Sequence, residues 1–377
     1  MINVEEFEKL LQENNVGFYT GVPDSQLKSF CDFIEDKYGI SDTHIIAPNE
    51  GNAVALATGY YLSTGKYGLV YMQNSGLGNA VNPITSLTDP NVYNIPVIYI
   101  IGWRGQPGVS DEPQHVKQGA ITTDLLELLD IDYKILSEET SINDIKDLFD
   151  NDFSKKLSEG KSVALVVSKG AFDSFKTIKT NDNILNREDA IKVVVDNLSL
   201  DDIVVSTTGK ASRELFEYRE EKNHGHSNDF LTVGSMGHSS TIALSIAVNK
   251  PRAKVLCFDG DGAVLMHMGS LAMIGSKSPK NFYHILFNNC AHETVGGLPT
   301  VMGDINIKQV ALNCGYKEVF NAGNKNELET VLSDFLSCEG PVLLIVDVSI
   351  GSRKDLGRPT TTPVENKNAF MKKLKKL

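Results

Sequence analysis

Cysteine is scarce in this 377-residue chain and forms no pattern: Cys31, Cys257, Cys290, Cys314 and Cys338 are odd in number, widely spaced and without a C-x-x-C pair. That excludes a disulfide framework and leaves no zinc signature, so a reducing cytoplasm is the expected compartment. No run of 18 apolar residues occurs, which excludes an ordinary membrane-spanning helix. The opening MINVEEFEKLLQ reads as an acidic amphipathic helix, unlike a secretory leader. Positive charge is also short. Lys and Arg total 36 against 48 Asp and Glu, a net −12, and general nucleic-acid binding needs a basic face that this balance does not supply. There is no G-x-x-x-x-G-K-[ST] loop, and HETVG lacks the second histidine of an H-E-x-x-H zinc helix. The terminal MKKLKKL is basic but too short for a membrane anchor and is expected to be a solvated helix end. No membrane and no nucleic acid are expected as partners.

What the chain does have is the composition of a soluble globular protein, 41% hydrophobic and 22% charged, at a length that exceeds one ordinary core. Its two halves follow one plan. INVEEFEKLLQ and LNREDAIKVVV each open with an asparagine cap, Asn3 and Asn186, followed three residues on by an acid, Glu6 and Asp189, and preceded by an apolar staple, Ile2 and Leu185. Each then runs through an apolar strand into a glycine turn, GFYTGVPDS near Gly21 and DIVVSTTGKAS near Gly209. A strand leading into a small-residue helix follows, HIIAPNEGNAVALATGYYL in one half and FLTVGSMGHSSTIALSIAV in the other. Met72 to Ile101 and Phe258 to Phe287, in the next strand pairs, are both 29 residues apart.

Strands alternating with helical patterns imply α/β architecture: two topologically similar three-layer domains with mostly parallel sheets. The expected boundaries are residues 1–170, a polar linker at 171–184, and residues 185–377. Ligands of such sheets bind at the carboxyl ends of the strands, where all of these glycine turns lie. The G-x-G of Gly76 and Gly78 is weak by itself and sits where the duplicated plan already wants a turn.

One stretch asks for more than a turn. Gly260, Asp261 and Gly262 follow an apolar strand, and Asn288 and Asn289 end the next one. Glycines permit a sharp exit and a close approach of backbone N–H groups to a phosphate. A carboxylate and an amide oxygen at neighbouring strand tips suit a hard dication such as magnesium, which completes its octahedron from substrate oxygens.

At these residues the sequence resembles the thiamine diphosphate enzymes, whose diphosphate motif is G-D-G, about 25 residues, then N-N; Ala263 to Phe287 is 25 residues here. The resemblance implies thiamine diphosphate and Mg2+ as cofactors. It gives Asp261, Asn289 and the carbonyl of Ala291 to the metal, and Thr208, Gly209, Gly260, Gly262 and Ala263 to the diphosphate side. Glu50, in APNEGNAVALATGYYL, matches the glutamate that bonds the aminopyrimidine and activates the cofactor. Gly234 and Met236, in TVGSMGHSS, match the residues that bind its amino group and bend it. The first half is then the pyrimidine-type domain and the second the diphosphate domain, with no central domain. The family pattern further implies a homodimer or larger homo-oligomer with sites at the subunit interface.

Along the whole chain, from GVPDSQLK to GSRKDLGRPTTTPVENK, the sequence is similar to the phosphonopyruvate decarboxylases, with the sulfopyruvate decarboxylases as relatives. The implied reaction turns 3-phosphonopyruvate into phosphonoacetaldehyde and carbon dioxide. Alternatives are a decarboxylase of sulfopyruvate or another small anionic 2-oxo acid, and a non-catalytic thiamine diphosphate-binding protein, which the presence of Glu50 disfavours. A doubly anionic substrate needs cationic donors. IIGWRGQPGVSDEPQHVKQG offers Arg104 to grip the phosphonate, His115 as a catalytic residue that relays protons near neutral pH, and Lys117, each of which is otherwise a surface charge on a long loop. Asp24 in GVPDS matches the substrate-facing aspartate of related decarboxylases and is a catalytic candidate, with Ser25 beside it as a substrate contact; otherwise the pair simply stabilises the turn. Arg353 and Arg358 form a second anion grip or anchor the tail, and His292 with Glu293 are candidates for the pocket wall.

Overall fold

Asn3 caps the first helix, Val4–Glu13, by accepting the N–H groups of Glu5 and Glu6, and Asn186 caps Arg187–Asp196 through the N–H of Asp189. Both expected caps therefore form. The computed structural model describes residues 1–377 and divides into two units, Met1–Ile178 and Lys179–Leu377.

The first unit contains β1 (Val16–Gly21), β2 (His44–Ile46), β3 (Tyr67–Gln73), β4 (Val97–Gly102), β5 (Asp132–Leu136) and β6 (Val163–Val167). They form one sheet in the order β2-β1-β3-β4-β6-β5, parallel throughout. The second unit contains β7 (Ile203–Ser206), β8 (Asp229–Leu231), β9 (Val255–Gly260), β10 (Phe282–Asn288), β11 (Glu318–Ala322) and β12 (Val342–Asp347). Their order, β8-β7-β9-β10-β12-β11, repeats that of the first unit strand for strand, again all parallel. The duplicated grammar of the sequence is thus a duplicated topology.

Central strands such as VIYIIG of β4 and VALVV of β6 are buried at every position, as a parallel sheet covered on both faces requires. In the second unit the two faces carry separate apolar layers. One gathers Leu256, Phe258, Ile285 and Phe287 against the helices at 187–196, 210–221 and 325–337. The other gathers Val255, Cys257, Phe282 and Leu286 against Ala243, Leu271 and Ala311.

The expected linker is tethered rather than free. Phe172 bridges Ile2, and the N–H of Phe175 reaches Ser29 in the first unit, whereas Asn181 and Asn183 donate to the carbonyl of Val348 in the second. The basic terminus ends a helix, Pro363–Leu374, that buries Phe370. No helix of the molecule is long and apolar enough to cross a membrane.

Candidate active site

In the first unit the functional side chains stand at the carboxyl ends of β1 to β4. The chain leaves β2 through Asn49, whose side chain accepts the N–H of Asn52 and starts the helix Glu50–Thr64. Glu50 is the first residue of that helix and is only 5% exposed. Asn79 donates Nδ2–H to Glu50 Oε2 at 2.8 Å. The backbone of Gly76 lies against the other oxygen: a Cβ at that position would stand 2.5 Å from Oε1. Burial pushes the Glu50 carboxyl above its ordinary range, opposed by the Asn79 hydrogen bond, so the protonated form is favoured.

Asp24, after β1, is fully buried. Its Oδ1 accepts from Gln73 Nε2 at 2.6 Å and its Oδ2 from the N–H of Gln26 at 2.8 Å, while burial raises its pKa. Gly102 is required beside it, because a Cβ there would meet Asp24 Oδ2 at 2.2 Å. Ser25, next in the turn, accepts Arg104 Nη1–H at 2.9 Å. Arg104 is held in a fork by Asp111, with Nε to Oδ2 at 2.7 Å and Nη2 to Oδ1 at 2.5 Å. That guanidinium holds the Asp111 carboxyl down to about 2. His115 is buried nearby, its pKa lowered by burial and then by the Arg104 charge, and its Nδ1 has no partner within the chain. Asp24, Ser25, Arg104 and His115 thus form one neighbourhood, and Lys117 lies exposed beyond it.

In the second unit four strand-end turns converge. After β7, Gly209 holds φ +99°, and a Cβ on it would touch Thr294 at 3.4 Å; Thr208 precedes it. After β8, the turn of Gly234 and Met236 folds onto the segment after β9. A Cβ on Gly237 would lie 2.9 Å from the carbonyl oxygen of Ala263, and one on Gly262 would lie 3.1 Å from the His292 ring and 3.3 Å from Met236 Cε. Gly260 closes β9 and Asp261 begins the helical turn Asp261–Met266.

Asp261 is 4% exposed and accepts the Thr300 hydroxyl at 2.6 Å. Burial pushes its carboxyl up to about 6, opposed by hydrogen bonds from Thr300 and from backbone groups including Ala291. The Ala291 N–H also donates to Asn289 Oδ1 at 3.0 Å, so the carboxylate and the amide oxygen converge on one N–H. The other end of the amide is fixed by an acceptor: Asn289 Nδ2 donates to Glu293 Oε2 at 2.9 Å. Glu293 is itself gripped by Arg187 Nη1 at 2.6 Å and Lys210 Nζ at 2.9 Å, and Arg187 makes two further bonds at 2.8 Å to Glu214. Against the burial that would raise it, these cations bring the Glu293 carboxyl below its ordinary range. Between them, Cys290 holds φ +54°, a left-handed turn that costs a non-glycine residue about 1–2 kcal/mol and is kept by the bonds on either side. His292 is buried, and its pKa falls to about 4, so it stays neutral near pH 7.

A buried carboxylate and an amide oxygen, aimed together with no cationic side chain bonded to either, are donors suited to a hard dication. The two C-terminal arginines behave differently. Arg353 is bound by Glu188 at 3.0 Å, by Asp355 at 3.3 Å and by Glu217, so its charge is spent on carboxylates, two of which tie the tail to the helices Arg187–Asp196 and Lys210–Glu221. The tail is pinned there as well by Arg213, which donates to the carbonyls of Leu356 and Gly357. Arg358 is exposed in the same segment.

Gln73, Asn79, Asp111, Arg187 and Thr300 were not singled out by sequence reasoning. Each is brought to its partner from 7 to 106 residues away along the chain. The nearest thing to a signal was the SGLGN turn, whose Gly76 proves to be the floor under Glu50.

Two family models match the chain: thiamine pyrophosphate enzyme, N-terminal TPP binding domain, over residues 4–128, and thiamine pyrophosphate enzyme, C-terminal TPP binding domain, over residues 207–346. The chain is 34% identical over 370 residues to a phosphonopyruvate decarboxylase of Streptomyces viridochromogenes, covering 93% of this chain and 89% of that one. It is 33% identical over 392 residues to a phosphonopyruvate decarboxylase of Streptomyces hygroscopicus, covering 98% and 93%. A sulfopyruvate decarboxylase subunit beta of Methanococcus maripaludis is 35% identical over 195 residues, 51% of this chain and 99% of that subunit.

Proposed function

We propose, from the premise that this chain belongs to the thiamine pyrophosphate enzyme family, that it decarboxylates 3-phosphonopyruvate to phosphonoacetaldehyde and carbon dioxide. The observation that carries this reading is its similarity, along nearly the whole of both chains, to two phosphonopyruvate decarboxylases. Thiamine diphosphate, when bound, supplies the reactive carbon and the electron-accepting ring that loss of carbon dioxide from a 2-oxo acid needs.

The residues present fit that group. Asp261, Asn289 and the carbonyl of Ala291 would hold Mg2+, and Thr208, Gly209, Gly260, Gly262 and Ala263 would border the diphosphate. Gly234 and Met236 would border its rings. Burial shifts the Glu50 carboxyl toward its neutral form, opposed by the Asn79 hydrogen bond to Oε2, and leaves Oε1 as the oxygen that Asn79 does not occupy. The carboxyl is thus prepared to exchange a proton at a ring nitrogen brought to that oxygen. Arg104, pre-oriented by Asp111 and Ser25, would take the phosphonate, with Asp24 and His115 beside it in the first unit; His292, in the second unit, is also assigned to substrate. Neutral His115 and His292 contribute hydrogen bonds without competing for the anionic substrate's charge. Arg353 is left out of this set because its carboxylate partners already neutralise it. A homodimer or larger homo-oligomer is the assembly we assign to the enzyme, and the cytoplasm its compartment.

The test is a substrate panel with purified protein, thiamine diphosphate and Mg2+. Carbon dioxide release should be fastest from phosphonopyruvate; faster release from sulfopyruvate would transfer the assignment to that substrate.

A further inference from the structure

A second group of chemistry-bearing side chains lies away from the strand tips, inside the sheet of the second unit. Cys257 and Asp259, two apart on β9, point to the same face. His284 on β10 stands directly opposite Cys257 in the parallel register. All three are 0% exposed, in the apolar layer that holds Val255, Phe282 and Leu286. One ligand atom of each, the Cys257 sulfur, a carboxylate oxygen of Asp259 and a ring nitrogen of His284, lies within 4.8 Å of the others. Asp259 Oδ2 and His284 Nε2 have no hydrogen-bond partner within the chain and face each other at 3.5 Å. The remaining ring nitrogen, Nδ1, is engaged by Tyr316 Oη at 3.0 Å.

We propose that Cys257, Asp259 and His284 bind one divalent transition-metal ion of the zinc class. Tetrahedral zinc with ligands about 2.0–2.3 Å away spaces those ligands about 3.5 Å apart, which Nε2 and Oδ2 already satisfy. A sulfur, an imidazole nitrogen and one carboxylate oxygen select zinc or cobalt over magnesium. Charge closes as well: thiolate and carboxylate balance a dication, with the imidazole neutral, and the thiol proton leaves to solvent on binding. Tyr316 accepts the Nδ1–H and sets the tautomer that offers the Nε2 lone pair to the metal, as outer partners of metal-bound histidines do. A water completes the tetrahedron. The ion clasps β9 to β10 just before the tips that carry Asp261 and Asn289, and it is independent of the substrate assignment above. Sequence spacing gave no zinc signature because the ligands come from two strands, 27 residues apart at Cys257 and His284.

The test uses the untagged full chain produced in zinc- or cobalt-supplemented medium, because a buried site loads as the chain folds. Metal analysis after dialysis against chelator should find about one zinc or cobalt ion per chain. The cobalt form should show thiolate-to-cobalt charge-transfer absorption, which magnesium cannot produce. Cys257→Ser, or Cys257→Ala if the serine variant does not fold, should abolish that band and lower retained metal by about tenfold or more, with the far-ultraviolet circular dichroism unchanged. A wild-type chain that retains only trace zinc or cobalt overturns the proposal, and so does a band that persists without the Cys257 sulfur.

Discussion

Asn79 donates to Glu50 at 2.8 Å, so the buried carboxyl at the head of the helix Glu50–Thr64 is held by a neutral amide and not by a cation. That pairing orients the acid without forcing it to ionise. A cationic partner at the same place would have pulled its pKa down and left no proton to exchange.

Glu50→Gln keeps the shape and removes the proton exchange. Turnover of phosphonopyruvate should fall by about 10²–10⁴-fold while calorimetric uptake of thiamine diphosphate with Mg2+ changes little. Undiminished carbon dioxide release would remove Glu50 from the mechanism.

Gly76→Ala tests the same acid from the other side. The new methyl would lie 2.5 Å from Glu50 Oε1, so the carboxyl or the turn must move. The expected cost is about 1–3 kcal/mol in stability together with a loss of turnover approaching that of Glu50→Gln. Wild-type kinetics in this variant would mean that the position of Oε1 is not critical.

Arg104 serves the phosphonate in this reading, so its removal should discriminate between substrates. Arg104→Ala should raise KM for phosphonopyruvate by about 10–100-fold and affect pyruvate much less. Arg104→Lys should recover little, since a lysine cannot reproduce the fork held by Asp111. An equal loss on both substrates points instead to a collapse of the loop.

Arg187 is buried between Glu214 and Glu293 and orders the chain that ends at Asn289. Arg187→Ala leaves two acids without their main cation in a poorly solvated place and should cost about 3–5 kcal/mol in urea denaturation. Weaker Mg2+ binding should accompany it, read by calorimetry under conditions where the variant is still folded.

His44 supplies a pH dependence. It is fully buried between the Gly39 carbonyl and the Tyr71 hydroxyl, and burial lowers its pKa below the usual value of 6.5. A base whose folded pKa is depressed contributes its full stability above the unfolded pKa and loses it as pH falls through that value toward the folded one. The urea midpoint should therefore drop between about pH 7.5 and pH 5.5, and His44→Gln should make that drop smaller. An unchanged pH slope in the variant would show that other groups account for the acid loss.

Much of this was legible in the sequence. The asparagine caps at Asn3 and Asn186 are local hydrogen bonds, decided by residues three apart, and they form as expected. The alternation of strands and helices is equally local, and the repeated plan of the two halves reappears as one strand order used twice. The convergence of Gly209, Gly234, Met236, Gly262 and Asn289 follows from that order, because strand-end turns in a parallel sheet share one edge. The partners of the key acids were not legible. Asn79 for Glu50, Gln73 for Asp24, Thr300 for Asp261 and Arg187 for Glu293 are long-range pairs with no periodicity to announce them. Nor did the sequence tell that Arg353 would be consumed by Glu188, Glu217 and Asp355.

The amino-acid order by itself determined where helices begin, which runs are strands, and that two similar parallel sheets present glycine turns at one edge, since capping, periodicity and turn chemistry act over a few residues. Only the tertiary structure decided the shifted acidity of Glu50 and Asp261 and the orientation of the Asn289 amide. Those depend on desolvation and on hydrogen-bond partners that adjacent strands and turns bring from far along the chain.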